Sequence, residues 1–378
     1  MLSIWIVSVL LVLALWNLCF QKHWDSQLRV SATFKEESVY AGDETRLTEV
    51  IENHKKMPIP VLEVGFHTKK ELDFQDTDNT SVSDYLYKRD IFSIMGWQKI
   101  TRQISVKCKK RGIYQIHEID LYTYSLLHNK KYGKIRTNDA SIFVYPARTH
   151  VEDLVLICES LSGTVQCAKH LYEDPFAFRS IREYTLEDPM KTLNWKASAK
   201  SGKLMVNTYD SALIPKVMIF LDLEDGGILK HDELIEESIS IATSLAGKLL
   251  KQGMEVGFLC NGKVEGKEMA LPLSNQRNQI FQLERMLALY QATEPCTNFD
   301  KLLTEYHKAH ISAAEDALLV FISKNAKEIY YEKMQEMLGK EGQGLWVCPI
   351  EQEEINKDRC VTFPPSRVKY VIRGVERS

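Results

Sequence analysis

An almost unbroken apolar run at the amino end, Leu2 to Phe20, is the feature that most limits how this chain can fold. The run contains no charged side chain, and a helix of this length, at 1.5 Å per residue, would just cross the hydrocarbon core of a bilayer. A cleaved signal peptide would have a basic start and small residues at the cleavage site, and the run has neither. The sequence therefore predicts a transmembrane anchor over residues 1–21.

The charges and cysteines around the anchor predict its orientation. Lys22 and His23 follow the run, whereas only the amino terminus precedes it. Because positive charge tends to stay on the cytoplasmic side, we expect a single-pass protein of the cell membrane with its C-terminal domains in the cytoplasm. The eight cysteines include no C-x-x-C pair, which suits buried thiols in a reducing compartment.

The rest of the chain is long enough for more than one domain. Its 378 residues can bury two cores, and 44% of them are hydrophobic. The formal net charge of -3 lacks the basic surplus that phosphate binding requires. Nucleic acid is therefore not expected as a partner.

Residues 27–150 alternate apolar and polar side chains, as half-buried strands do. Leu28, Val30, Ala32 and Phe34 begin the pattern, and several short runs separated by turn residues repeat it. This spacing predicts an antiparallel β-sandwich, to which we assign no catalytic residue.

Residues 212–350 change to a pattern of strands alternating with helices. Lys216 to Asp222 is a continuous apolar strand that ends in a carboxylate, and an amphipathic helix is predicted from Asp232 to Lys251. Asn261-Gly262 indicates a hairpin turn, and Ala317 to Ile322 is a second apolar strand. The pattern predicts an α/β sheet with crossover helices. The tail, residues 351–378, is predicted to contain an edge strand.

The segment that links these domains, residues 151–211, contains a dense mixture of aromatic and charged side chains between Asp174 and Leu204. If its aromatic residues are buried, nearby charges must find partners, since an unpaired buried ion is costly. We therefore expect Arg182 or Arg179 to pair with Glu183 or Asp188, in an ordered aromatic seam that joins two globular units. A structural latch, a recognition surface and a catalytic site are the three interpretations.

Part of this segment resembles a known signature. Arg182-Glu183-Tyr184, then Glu187-Asp188-Pro189, then Asn194 to Leu204 are similar to R-E-Y, G-D and I-D-W-K-A-S-A-R-x-G-x-L of the bacterial domain-of-unknown-function 58 proteins. Glu187, Asn194 and Lys200 depart from the usual Gly, Asp and Arg. The candidate interaction or structural residues are Arg179, Arg182, Glu183, Tyr184, Asp188, Trp195, Lys196 and Lys203.

The resemblance also implies a von Willebrand factor A-like fold for the α/β domain. In such domains a divalent metal is held by D-x-S-x-S, a Thr and a later Asp. Asp222 and Thr297 occupy two of these places, but Glu224 and Gly226 replace the serines and Lys324 replaces the last Asp. Because magnesium needs several oxygen ligands, we expect no metal here, and Asp222 to pair with Lys324 or a backbone amide.

A non-catalytic scaffold is the function that this organisation favours. The resemblance implies a protein partner, an AAA+ ATPase of the MoxR type, in the assembly or maturation of envelope or protein complexes. No cofactor is expected, and no nucleophile elbow, P-loop or zinc-protease motif is present. The alternative is a hydrolase or transferase that acts through Glu183 and Asp188, although neighbouring cations favour plain ion pairing there.

Overall fold

The chain forms two compact units, one of Met1–Arg148 with Leu287–Leu289 and one of Thr149–Met286 with Tyr290–Ser378. They are called here the sandwich unit and the α/β unit. The computed structural model describes residues 2–74, 80–82, 85–125, 130–168, 178–185, 188, 190, 193–209, 214–226, 231–291, 296–309, 317–338, 342–356, 363 and 367–375.

The sandwich unit begins with helix α1, Leu2–His23. Among the described residues, no helix has the length and apolar character needed to cross a membrane. At its carboxyl end, Phe20 and the following Trp24 are buried in the core of the unit. The buried Lys55 ammonium donates hydrogen bonds to the carbonyl oxygens of His23, Trp24 and Ser26. This ammonium thus satisfies carbonyl groups that the end of a helix leaves without partners.

Ten strands follow in the described residues of this unit, and alternation predicts most of them. They are β1 (Leu28–Phe34), β2 (Ser38–Tyr40), β3 (Glu44–Asn53), β4 (Ile59–Lys69), β5 (Leu72–Phe74), β6 (Thr80–Val82), β7 (Tyr85–Ile94), β8 (Lys99–Cys108), β9 (Gly112–Tyr124) and β10 (Lys131–Tyr145). One sheet has the order β1-β3-β8-β5 and the other β2-β10-β9-β4-β7-β6. The expectation of a wholly antiparallel sandwich is wrong at one edge, because β2 pairs with β10 in parallel.

A hydrophobic core includes residues from both sheets, among them Leu47, Ile51, Phe66, Phe74 and Ile104. Charged side chains are buried as well: Glu49 on β3, and Lys88 and Asp90 on β7. Asp90 forms an ion pair with Arg102 on β8, with 2.8 Å between the guanidinium nitrogen and the carboxylate oxygen. The interior of this unit is therefore partly ionic.

The α/β unit contains the remaining elements. They are α2 (Glu152–Ala168), β11 (Phe178–Glu183), α3 (Trp195–Ser201), β12 (Met205–Tyr209), β13 (Lys216–Leu221), α4 (Asp232–Lys251), β14 (Glu255–Val264), β15 (Lys267–Ser274), α5 (Asn278–Leu289), α6 (Phe299–Ala309), β16 (Leu318–Ile322), α7 (Glu328–Met337), β17 (Gly344–Glu351), α8 (Gln352–Asn356) and β18 (Val368–Val375). The large sheet has the order β15-β14-β13-β16-β17-β18. Its strands are parallel except β15, which is antiparallel to β14.

Continuous burial explains the apolar central strands of this sheet. Every residue of β16 is buried, as are all residues of β13 after Lys216, and parallel strands covered on both faces have this composition. Helix α2 packs against α4, β16 and β17, with Leu154 and Cys158 buried. The first part of the segment interpreted as a link is therefore a helix of the α/β unit. The tail supplies β18, at one edge of the large sheet.

Candidate functional site

The signature residues form a small element of two strands and one short helix. Strand β11 pairs with β12 in antiparallel register, with Arg182 opposite Val206 and Glu183 opposite Met205. Helix α3 lies between these strands in sequence. The name signature element is used here for the described residues from Phe178 to Tyr209.

Local hydrogen bonds define both ends of α3. The side chain of Asn194 accepts a hydrogen bond from the Ala197 backbone amide at 2.9 Å, which is an N-cap contact. Gly202 ends the helix with φ 73°, a left-handed conformation that glycine adopts without steric cost. The Ser198 hydroxyl accepts from the Met205 amide at 2.8 Å and so joins α3 to β12. Capping chemistry thus accounts for Asn194, Ser198 and Gly202.

Two ion pairs stabilise the element, and one of them is the predicted pair. The Arg182 guanidinium donates to both oxygens of Asp188, at 2.7 and 2.5 Å. Asp188 also accepts from the backbone amide and hydroxyl of Thr185, each at 2.8 Å. Hydrogen bonds from Arg182, and then from Thr185, hold the pKa of Asp188 well below its usual range. Lys203 pairs with Glu183 at 2.5 Å.

The expected burial of the aromatic residues is wrong at Trp195. Its side chain is 69% exposed, and Lys196 beside it is also exposed. Ser198, Leu193 and Val206 are the buried residues at this junction of helix and hairpin. Trp195 is the first residue of α3 and so presents its ring to solvent, while Tyr184 is half-buried.

Some of the predicted residues lie outside the described part of the chain. They are residues 174–177, Glu187 and Pro189, together with the side chain of Arg179, whose backbone lies in β11. Of the eight candidate residues, the described element brings together the pairs Arg182–Asp188 and Glu183–Lys203, whereas Trp195 and Lys196 point outward as neighbours.

A second group of polar residues surrounds Asp222, directly after β13. Its carboxylate is fully buried. One oxygen accepts from the Glu224 amide at 2.9 Å and from the Asn261 side chain at 2.8 Å. The other accepts from Ser323 at 2.7 Å and from Asn325 at 2.9 Å. Burial raises the pKa of Asp222, and these four donors oppose that shift.

The residues present do not fit a divalent metal at this edge. Each oxygen of Asp222 already accepts two protein hydrogen bonds, and the hydroxyl of Thr297 donates to the Asn261 carbonyl at 3.2 Å. The described residues contain no group of three or more His, Cys, Asp or Glu able to hold a metal ion. The predicted backbone partner of Asp222 is present at Glu224, but the alternative pairing with Lys324 is wrong, since Lys324 pairs with Asp225.

The sequence patterns did not reveal three of the donors to Asp222, which are Asn261, Ser323 and Asn325. Asn261-Gly262 was interpreted as a hairpin turn, yet both residues lie inside β14, and the strand turns at Glu265-Gly266. Ser323 and Asn325 follow β16 at the same edge of the sheet. A polar residue directly after an apolar parallel strand was the available signal.

No protein-family model matches the chain. A curated relative, the uncharacterized protein YeaD of Bacillus subtilis (strain 168), is 22% identical over 236 residues, which cover 60% of this chain and 54% of that protein. The chain therefore matches about half the length of that relative. Among solved structures, the CARDB domain of a Pyrococcus furiosus protein is 12% identical, with a TM-score of 0.21 over 31% of this chain and 93% of that one. A non-cellulosomal cohesin from Archaeoglobus fulgidus is 13% identical, with a TM-score of 0.22 over 33% of this chain and 95% of that one. Likenesses at these TM-scores carry no functional argument.

Proposed function

We propose that this protein is a membrane-anchored, non-catalytic scaffold of the domain-of-unknown-function 58 kind, whose signature element binds a protein partner. The observation that carries this function is the exposure of Trp195 on an element that is otherwise fixed by hydrogen bonds and ion pairs. The candidate partner, from the resemblance of the signature, is an AAA+ ATPase of the MoxR type, acting in the assembly or maturation of envelope or protein complexes.

The candidate residues divide into two groups by their contacts. Arg182, Asp188, Glu183 and Lys203 contact one another in pairs and hold the hairpin and the following turn in shape. Trp195 is instead exposed at the start of a capped helix. A rigid, exposed tryptophan provides a large contact area with little loss of side-chain entropy, which is why tryptophan is enriched among binding hot spots.

Two further features support the anchored scaffold. The large sheet of the α/β unit has the strand order 3-2-1-4-5-6 when its own strands are counted, with one antiparallel edge strand. A von Willebrand factor A-like fold would have this arrangement. In α1, Trp5, Ile6, Leu11, Val12 and Leu15 are exposed apolar side chains that a bilayer would cover. A single-pass protein with cytoplasmic C-terminal domains remains the proposed topology.

Catalysis by the signature carboxylates is the less favoured function. Because the pKa of Asp188 is held low by Arg182, this carboxyl cannot keep a proton for general acid catalysis near neutral pH. Glu183 is paired with Lys203. If the pair is nevertheless catalytic, the purified chain will turn over a substrate in a hydrolase and transferase panel, and Glu183→Gln will abolish that turnover.

Trp195→Ala in the full-length, detergent-solubilised protein should weaken binding of the purified ATPase at least tenfold. The variant removes the central exposed aromatic contact, and a hot-spot residue contributes about 2 kcal/mol or more. Thermal unfolding should stay near wild type, since the ring is exposed. Binding is measured by interferometry against the ATPase with bound nucleotide.

Ile329→Ala is the matched control, because Ile329 is an exposed apolar residue on α7 of the same unit. Its affinity should equal that of wild type. Arg182→Ala should weaken binding and also make the element less ordered. The loss of order should appear as faster amide exchange in residues 182–188. Unchanged affinity in Trp195→Ala would rule out a recognition role for the residue. Unfolding of that variant would show a structural role instead.

A further inference from the structure

The end of the sandwich unit that receives α1 contains two exposed apolar side chains in a fixed turn. Met95, Gly96 and Trp97 form the turn between β7 and β8. Trp97 is 66% exposed and Met95 is 63% exposed. The name anchor-proximal turn is used here for residues 95–97.

Direct hydrogen bonds connect this turn to the end of α1. The backbone amide of Trp97 donates to the carbonyl of Lys55 at 3.1 Å. The ammonium of Lys55 in turn binds the carbonyls of His23 and Ser26, at 2.9 and 3.1 Å. Burial lowers the pKa of this ammonium to about 8. The turn and the carboxyl end of the helix are thus joined through one residue.

A second set of contacts fixes the turn itself. The side-chain amide of Asn53 donates to the carbonyls of Met57 and Met95, at 3.0 and 2.9 Å. A Cβ atom at Gly96 would lie 2.3 Å from the carbonyl oxygen of Lys56, so only glycine fits there. Two adjacent loops are therefore held together at the place where α1 enters the unit.

The backbone of Trp97 is strained, although its side chain remains mostly exposed. Its φ is 57°, in the left-handed region that bulky residues seldom adopt. Such strain persists where the surrounding structure fixes it, and it is most frequent at functional positions. Exposed lysines accompany the turn, with Lys22 near the end of α1 and Lys56 beside Gly96.

We propose, on the basis of the anchoring part of the proposed function, that the anchor-proximal turn lies in the interface of the bilayer that α1 enters. The occupant of this surface is an anionic phospholipid membrane. The ring of Trp97 and the side chain of Met95 enter the boundary between headgroups and acyl chains, where tryptophan is enriched. Lys22 and Lys56 lie among the lipid phosphates. The hydrogen-bonded link from the turn to the end of α1, a helix with exposed apolar side chains, favours lipid over a protein partner.

Fluorescence quenching by brominated lipids tests this placement in the full-length chain. The protein is reconstituted into phosphatidylcholine vesicles containing phosphatidylglycerol, with bromine at a shallow or a deep acyl position. The spectrum of Trp97 is obtained as wild type minus Trp97→Phe. We expect emission shifted to the blue and at least a twofold loss of intensity with the shallow quencher, and less with the deep one.

Three further variants keep the result interpretable. Trp97→Gly relieves the backbone strain, since glycine tolerates this φ, and should give the same difference spectrum when the phenylalanine variant is correctly folded. Trp195→Phe reports an exposed tryptophan of the other unit and should show no quenching. Lys56→Glu should reduce quenching of Trp97 when the vesicles are anionic.

The same vesicles separate this placement from the anchoring itself. Trp5 and Trp16 lie within α1, and the difference spectrum of their double phenylalanine variant reports insertion of the helix. If these two are quenched while Trp97 is unquenched and open to iodide, the interfacial placement is wrong and the anchor stands. If none of the three is quenched, both the anchor and the placement are wrong.

Discussion

Asp222→Ala should lower the free energy of unfolding of the α/β unit by about 3 to 5 kcal/mol, in the range of the large effects seen when a buried hydrogen-bond network is broken. The carboxylate accepts hydrogen bonds from Glu224, Asn261, Ser323 and Asn325. Alanine would leave all four donors buried without their acceptor, and each such group carries a desolvation penalty. The network joins the ends of β13 and β16 to the interior of β14, so its loss should loosen the centre of the sheet.

Urea unfolding followed by the fluorescence of Trp346, which is buried in β17, measures this effect. Glu268→Ala, an exposed carboxylate on β15, is the control and should change stability by less than about 0.5 kcal/mol. Asp222→Asn should be intermediate, because one acceptor oxygen remains. Magnesium or a chelator should leave wild-type stability unchanged. A magnesium-dependent gain in the wild type that Asp222→Ala abolishes would contradict a network made only of protein donors.

The position of Asp222 was predictable from the sequence, but its partners were not. An apolar parallel strand that ends in a carboxylate places that carboxylate at the carboxyl edge of a sheet. The donors come from other strands, separated in sequence by 39 residues for Asn261 and 103 for Asn325. Their convergence depends on strand order, which local patterns do not contain. Asn261-Gly262 also has the composition of a turn, so the sequence pattern did not indicate that these residues lie inside β14.

The signature element shows the same division between local and distant effects. The Arg182–Asp188 pair was predictable because its members are six residues apart and no other element is needed to bring them together. The exposure of Trp195 was not predictable, since burial of a large apolar ring lowers the free energy wherever a surface covers it. Whether such a surface exists depends on the packing of distant segments.

Alternation predicted most strands of the sandwich unit, but β7 did not follow the pattern. Its buried residues are Leu86, Lys88, Asp90 and Ile94, so two of these four inward side chains are charged. A polar residue at every second place normally indicates the solvent face of a strand. The sequence therefore could not show that the interior contains ions, nor that Glu49 lies with them.

Glu49→Gln should stabilise the sandwich unit at pH 8 by about 3 kcal/mol and have little effect below pH 4.5, because one unit of pKa shift corresponds to about 1.4 kcal/mol. Burial, reinforced by the charge of Asp90, raises the pKa of Glu49 from 4.5 to about 7, against the opposing charges of Arg102 and Lys88. Between these two values the folded chain holds a proton that the unfolded chain releases, so wild-type stability falls as pH rises and then levels above pH 7. Glutamine cannot ionise, so the variant lacks this loss.

Denaturant unfolding of both proteins between pH 4 and 8 measures the difference in stability. The signal should come from the sandwich unit, so Trp24, which is buried there, is the suitable reporter. Glu118→Gln, an exposed glutamate on β9, is the matched control and should show no such pH dependence. A constant difference between wild type and Glu49→Gln across this range would mean that Glu49 stays ionised in the folded chain, held by Arg102 and Lys88. In that case the buried charges would form a balanced network, and replacing Glu49 would destabilise the unit at every pH.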